Sequence, residues 1–316
     1  MQEFVPNSEI YTVDALYYQP QLAAIHLIRS GDRLCIIDTG TQYSVTQVET
    51  AIKQLGLSFD HVDYIILTHI HLDHAGGAGA LMSLCKNAEL VVHPRGARHM
   101  IDPTKLIAGA SAVYGVEEFN RLYGEISPID ATRVIEPADG ETIHWAKRPL
   151  TFIDTPGHAN HHHCIVDQQT NAVFTGDTLG VGYGALRSEN NAFVMPTTTP
   201  VQFNPDALHQ SIDKVMAYQP HTLYLTHYSA LQPTPQLIAG LHEQIDDYVM
   251  LTQQVAETNP DAMDAPLSTA IKDYLVRRCQ NQLPELDTET IKKWITLDAE
   301  LNAQGLVFWW QNKRNS

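Results

Sequence analysis

The chain has 316 residues, 44% of them hydrophobic and only 18% charged, enough apolar material for a sizeable core in one large or two modest domains. Its 20 basic and 36 acidic residues give a formal net charge of −16, a field that repels phosphate backbones and argues against nucleic acid as a partner, with a small-molecule substrate expected instead. No run approaches the about 18 apolar residues of a membrane span, and Met1 to Pro6 lacks the basic and apolar regions of a signal peptide, so a cytoplasmic protein away from membranes is expected.

The first strand-like runs, Ala23 to Ile28 and Arg33 to Asp38, are separated by Ser30-Gly31-Asp32, a hairpin turn signal. Tyr43 to Leu55 has helical spacing, with Val45, Val48, Ile52 and Leu55 on one side, and leads to the apolar strand Val62 to Leu67. Directly after that strand comes Thr68-His69-Ile70-His71-Leu72-Asp73-His74. A lone histidine is more often a core or surface residue than a ligand, but here four candidate groups occupy the positions from 69 to 74. Alternation along the departing chain lets His69 and His71 point together, while Asp73 and His74 address a neighbouring position, a spacing suited to two adjacent metal ions. Imidazole and carboxylate are ligands that zinc favours and that iron and manganese also accept.

Gly76-Gly77-Ala78-Gly79 opens the helix Ala80 to Cys85, and Glu89 to His93 reads as the next strand. Residues 95 to 135 are less regular, with a helical segment at Val116 to Tyr123, and are expected to form an insertion over the site that acts as a lid or binding wall, or else has a purely structural or oligomer-contact role. Strands resume at Val134-Ile135, Thr151 to Ile153, His163 to Val166 and Ala172 to Phe174, giving two sheets facing each other between helical layers.

Three of these later segments end on further candidate ligands. Thr151 to Asp154 runs into a Pro156-Gly157 turn that aims His158 back towards a pocket. Ala172 to Thr175 ends on Gly176 and Asp177, a carboxylate with two oxygens able to bridge two cations. Thr222 to Thr226 ends on His227, which would complete the second position. After Thr234-Pro235 the texture becomes helical, over Gln236 to Val255, Pro266 to Arg278 and Thr288 to Gln304, and the apolar tail Leu306 to Trp310 is expected to pack into the core or onto a second subunit in a homodimer. The expected division is a catalytic domain over 1–234 and a helical region over 235–316. Cys35, Cys85, Cys164 and Cys279 are widely spaced, form no Cys-x-x-Cys pair, and read as reduced, structural thiols.

The ordered set Asp38-Thr39-Gly40, His69/His71/Asp73/His74 with Ala75-Gly76-Gly77, Pro156-Gly157-His158, Thr175-Gly176-Asp177 and Thr226-His227 resembles the metallo-β-lactamase superfamily, from about residue 20 to residue 230. The resemblance implies an α/β fold, an αββα sandwich here followed by a C-terminal helical extension. It implies a first metal on His69, His71 and His158, a second on Asp73, His74 and His227, and Asp177 shared. With Asp73 and His74 intact, the pattern is similar to the glyoxalase II-like hydrolases and the dimetal lactonases. His162 stands where the family has a histidine four places after the turn ligand, but Ala159-Asn160-His161 replaces the usual glycine-containing turn. His162 is read as orienting a ligand by hydrogen bonding, and His161 and His163 as surface or strand residues.

Two ions about 3.5–4 Å apart would generate a hydroxide nucleophile near neutral pH and polarise an ester or thioester carbonyl, so no serine or cysteine nucleophile is needed. The expectation is a glyoxalase II-like hydrolase of a thioester or ester, holding two divalent ions, most simply zinc. A lactonase with the same centre is the alternative, with an iron-dependent oxidoreductase of sulfur compounds and a non-catalytic metal-binding protein behind it. Asp73 and Tyr183 are the candidate catalytic residues, Tyr183 and Tyr228 as hydrogen-bond donors to substrate. Asp38 is read first as a turn residue and second as a group that positions a ligand. The helical tail shows no match to the basic glutathione-binding elements of glyoxalase II.

Overall fold

Alternating and continuous apolar runs fold into two six-stranded sheets. The computed structural model describes residues 1–188, 191–198 and 201–315. The first sheet takes β1 (Ile10–Asp14), β2 (Ala24–Ser30), β3 (Arg33–Ile37), β4 (Val62–Ile66), β5 (Glu89–Val91) and β6 (Val134–Ile135) in chain order. β1, β2 and β3 pair antiparallel through short connections, whereas β3 to β6 run parallel, so each step between them needs a crossover. α1 (Val45–Gln54) makes the first crossover; α2 (Leu72–Ala75) and α3 (Ala78–Leu84) make the second; α4 (Pro94–Ile101), α5 (Thr104–Tyr114) and α6 (Val116–Tyr123) make the third.

The second sheet is built from β7 (Thr142–Trp145), β8 (Arg148–Asp154), β9 (His163–Asp167), β10 (Ala172–Gly176), β11 (Thr222–Leu225) and β12 (Ser229–Leu231), again in chain order across the sheet. Ile28, Cys35, Ile37, Ile66 and Val91 from the first sheet share one buried cluster with Leu150, Phe152, Ile165, Phe174 and Tyr224 from the second, so the sheets face each other across an apolar layer. The other face of the first sheet buries Ile25, Leu27, Ile36 and Ile65 against Val48 and Ile52 of α1, Leu81 of α3 and Ala97 and Met100 of α4. One charge pair lies inside this body. Arg148 reaches both carboxylate oxygens of Asp167, at 3.0 and 2.6 Å, and donates to the carbonyls of Arg29 and Ser8, so the fully buried guanidinium has acceptors on several sides. Removing either partner would strand the other, a loss of about 3–5 kcal/mol.

The segment expected as an irregular insertion over 95–135 is helical for most of its length. Phe119, Leu122, Tyr123 and Ile126 form a small buried cluster with Leu72, the residue between His71 and Asp73, and Leu106, Ile107 and Ala110 pack on it. The apolar stripe of α6 is what ties this segment to the histidine loop.

The chain forms two compact units. The first comprises Met1–Asp154, His161–Gly176 and Pro220–Ala230; the second comprises Thr155–Asn160, Asp177–Gln219 and the chain from Leu231 onward. The second unit carries α7 (Pro205–Met216), α8 (Pro235–Thr258), α9 (Asp264–Gln282) and α10 (Thr288–Asn315). Leu241, Ile245 and Tyr248 of α8 are buried, as are Leu267, Ile271 and Leu275 of α9 and Ile291, Ile295 and Ala299 of α10. Asn302 is buried too: its side chain accepts from the Thr198 amide at 2.8 Å and donates to the Pro196 carbonyl at 3.2 Å. The last helix does not stop at Gln304 as expected but continues through Gly305 to Asn315. Burial of Leu306 and Val307 offsets the roughly 1 kcal/mol that a glycine costs a helix interior, while Phe308 on the same tail faces outward.

Candidate metal centre

Asp38 follows β3 with φ at +55° and is completely buried. Its carboxylate collects donors from three places in the sequence: the Thr68 amide at 2.8 Å together with the Thr68 hydroxyl, the Thr226 hydroxyl at 2.8 Å, and Nδ1 of His74 at 2.8 Å. Its own amide donates to the Ile66 carbonyl. The expectation that favoured a turn role for Asp38 is therefore too narrow, because the same carboxylate fixes the ring of a candidate ligand. Next to it, the Thr39 amide and hydroxyl both donate to the His74 carbonyl, at 2.6 and 2.8 Å, so the loop's path is set as well as its side chain.

A carboxylate at Nδ1 takes the ring proton there, so Nε2 of His74 is the nitrogen turned to the site. His227 is arranged in the same way. Its Nδ1 donates to the Leu22 carbonyl at 2.7 Å, which again turns Nε2 to the site. The two Nε2 atoms lie 3.2 Å apart, and an Asp73 carboxylate oxygen sits 3.2 Å from that of His227 and 3.8 Å from that of His74. Two imidazole nitrogens and a carboxylate thus converge, with their ligand atoms all within 4.8 Å of one another. Imidazole and carboxylate are the donors a divalent cation takes, so this set fits a metal.

The other two loop histidines form a second meeting point. Nε2 of His69 and Nδ1 of His71 are 2.8 Å apart, and Nδ1 of His69 lies 3.2 Å from the Thr68 hydroxyl. The strand exit places both rings on one side, as the alternation of residues 69 and 71 predicts. Gly176, at the end of β10, has φ at +46° and no room for a side chain: a Cβ there would come 2.5 Å from Nε2 of His162 and 2.7 Å from the Thr68 hydroxyl.

His158 and Asp177 lie in the second unit, where Nε2 of His158 is 3.4 Å from a carboxylate oxygen of Asp177. The Thr197 carbonyl, 3.2 Å from Nδ1 of His158, accepts the proton of that nitrogen, and Nε2 is the one turned to Asp177. Tyr183 is buried in this unit and its hydroxyl donates to the carboxylate of Asp298, at 3.1–3.2 Å. Tyr228 is buried beside His227.

The histidine run is also resolved by its contacts. His162 is fully buried and its ring lies along that of His69, with centroids 4.8 Å apart. His163 is a buried residue of β9 whose Nε2 donates to the Leu67 carbonyl at 2.7 Å, and burial lowers its pKa to about 4, so it is a neutral structural donor and not a surface residue. His161 is buried as well, edge-on to His71. All four cysteines are free and buried. Burial pushes the Cys85 and Cys279 thiols up to about 12 and that of Cys35 well above its usual value, which removes thiolate chemistry at neutral pH for these three.

Residues 20–227 match the metallo-beta-lactamase superfamily as a sequence family. The chain belongs to that superfamily. Its similarity to the metallo-beta-lactamase fold-containing protein ST1585 of Sulfurisphaera tokodaii is 28% identity over 220 residues, 68% of this chain and 76% of that protein. The crystal structure of ST1585 from Sulfolobus tokodaii superposes with a TM-score of 0.65 at 22% identity, covering 96% of this chain and 99% of that one. An atrochrysone carboxyl ACP thioesterase, AgnL7 of Paecilomyces divaricatus, is 27% identical over 179 residues, 56% of this chain and 45% of the fungal protein, so the match spans less than half of that relative's length. The metallo-β-lactamase fold, with its mixed sheets and a C-terminal helical region, is the one expected from the motif order. Members of this superfamily hold dinuclear metal sites, and Asp73, His74 and His227 form one group among the described residues that could hold an ion.

Proposed function

We propose that the chain hydrolyses an acyl thioester or a related ester at a two-metal centre, in the manner of glyoxalase II. The observation that carries the reading is the convergence of Asp73 with the Nε2 atoms of His74 and His227, each ring held by an acceptor at Nδ1. The proposed ligand set follows the motif order: His69, His71 and His158 for one ion, Asp73, His74 and His227 for the other, and Asp177 for both. Two bound divalent ions, zinc in this proposal, would supply Lewis acidity and a water of lowered pKa.

The chain's own groups then have defined tasks. Asp38 and the Leu22 carbonyl hold His74 and His227 in the tautomer that leaves Nε2 available. Asp73, whose side chain is 23% exposed while His74 is fully buried, is the carboxylate assigned to receive the proton of the attacking water. The acyl carbon gains oxygen, the bond to sulfur breaks, and the thiol leaves with a proton. Tyr183 is assigned a hydrogen bond to substrate. The thioesterase named among the relatives supports sulfur over oxygen as the leaving atom and a carrier other than glutathione.

The experiment is an initial-rate measurement with S-lactoylglutathione, an acyl-pantetheine thioester and an acyl-homoserine lactone, on protein whose two-metal occupancy has been verified. Metal-dependent turnover of either thioester supports the proposal. Lactone opening with no thioester turnover replaces it with a lactonase.

A further inference from the structure

Among the described residues, α7 and α8 carry a second histidine and carboxylate cluster that the hydrolytic centre does not use. α7 places His209 and Asp213 four residues apart, and α8 places His242 and Asp246 four residues apart, so each helix presents one imidazole and one carboxylate on the same face. The pairs cross. Nε2 of His209 lies 3.2 Å from Asp246, and Nε2 of His242 lies 3.3 Å from Asp213. The rings are parallel within 7°, their centroids are 5.0 Å apart, and the two Nδ1 atoms face each other at 2.6 Å.

Each Nε2 faces a carboxylate within 3.3 Å, that of Asp246 being 77% and that of Asp213 74% exposed, and each Nδ1 is turned to the other ring. Two ring nitrogens at 2.6 Å need something positive between them, a proton or a metal ion. Carboxylate to imidazole Nε2, with the remaining nitrogen turned to a common point, is the arrangement that orients histidines around a metal. Two nitrogens on one tetrahedral zinc at bonds of about 2.0–2.1 Å stand roughly 3.3 Å apart, so the pair needs to open by about 0.7 Å. Both imidazoles have about a quarter of their side chain exposed, 24% for His209 and 26% for His242, which allows that opening and admits water as the remaining ligands.

We infer that His209 and His242 bind one divalent ion of the zinc, nickel and copper class through Nδ1, with Asp246 and Asp213 fixing the rings, and that this ion clamps α7 to α8. The site is independent of the hydrolase reading.

The test is zinc content per chain after equilibrium dialysis against graded free zinc, for the wild type, His209→Gln, His242→Gln and His71→Ala. The expected result is one equivalent fewer in His209→Gln and in His242→Gln, and retention of that equivalent in His71→Ala. Asp246→Asn should keep the stoichiometry and weaken the extra site by about 10–100-fold. The helix signal by circular dichroism in zinc-free buffer confirms that each variant is folded; if His209→Gln is not, His242→Gln and Asp246→Asn carry the same reading. Identical zinc content in wild type and both histidine variants at every concentration would overturn the proposal and leave a shared proton between the rings.

Discussion

The carboxylate of Asp38 receives the Nδ1 proton of His74 at 2.8 Å, and the two residues are 36 positions apart and both fully buried. That contact converts a turn residue into the part that decides which nitrogen of His74 is available. Asp38→Asn keeps the shape but removes the charge, and should weaken binding of the ion at Asp73, His74 and His227 by about 10–100-fold. It should also cost about 1–3 kcal/mol of stability, because four donor groups on three residues lose a charged acceptor. Zinc affinity and the urea midpoint measure the two effects separately; lower stability with unchanged affinity would return Asp38 to a turn role alone.

His71→Ala and Asp177→Ala should each lower metal content and abolish hydrolysis while the circular dichroism spectrum stays that of the wild type. Metal stoichiometry and rate both unchanged would refute the ligand assignment.

Tyr183→Phe removes a hydroxyl that now donates to Asp298. If that hydroxyl also serves substrate, kcat/KM falls about ten-fold with a small change in Tm, in line with one lost hydrogen bond of about 1–1.5 kcal/mol. A lower Tm with kcat/KM intact would confine Tyr183 to holding α10.

Acid should destabilise the fold through His26 and His163. Both are fully buried, and burial lowers each pKa from 6.5 to about 4. Between those values the unfolded chain binds more protons than the folded one, so stability rises with pH through this window, is complete above about 6.5 and declines as pH falls towards 4. Each residue should cost about 2 kcal/mol at pH 5 relative to pH 7. The urea midpoint at the two pH values checks this, and His26→Gln should shrink the difference by about half of that pair's share. An unchanged difference would show that His26 titrates normally in the fold.

Gly176→Ala introduces a Cβ against His162 and Thr68 at a positive φ. The expected result is a loss of roughly 1–3 kcal/mol together with weaker metal binding, because Thr68 is one of the donors to Asp38. Wild-type stability and zinc affinity in this variant would show that the strand end has slack.

The parts of this chain that were legible in its sequence are those written locally. The hairpin of β2 and β3, the spacing of α1, and the strand before each ligand motif all rest on periodicities within about ten residues. The helix α7 went unread although its signals are present: Asn204 caps it, accepting from the Ala207 amide, Pro205 opens it, and Leu208, Ile212 and Val215 mark its buried face. β1 and β7 are short edge strands of their sheets and were also missed. What no local pattern holds is the acceptor for His227, a backbone carbonyl at Leu22 and 205 residues away, because any residue type can offer a carbonyl. The partner of Tyr183 likewise lies 115 residues on, in a helix whose own sequence gives no sign of it.

The amide of His163, the first residue of β9, donates to the Thr68 carbonyl at 2.9 Å, while the Leu67 amide just before donates to Val91 of β5. The chain leading into the histidines is thereby stitched to both layers. Local fraying cannot release the His163 amide; the two layers have to part. Its deuterium uptake should therefore be as slow as that of the apolar interior, and should report on opening of the whole sandwich rather than on motion of a surface loop.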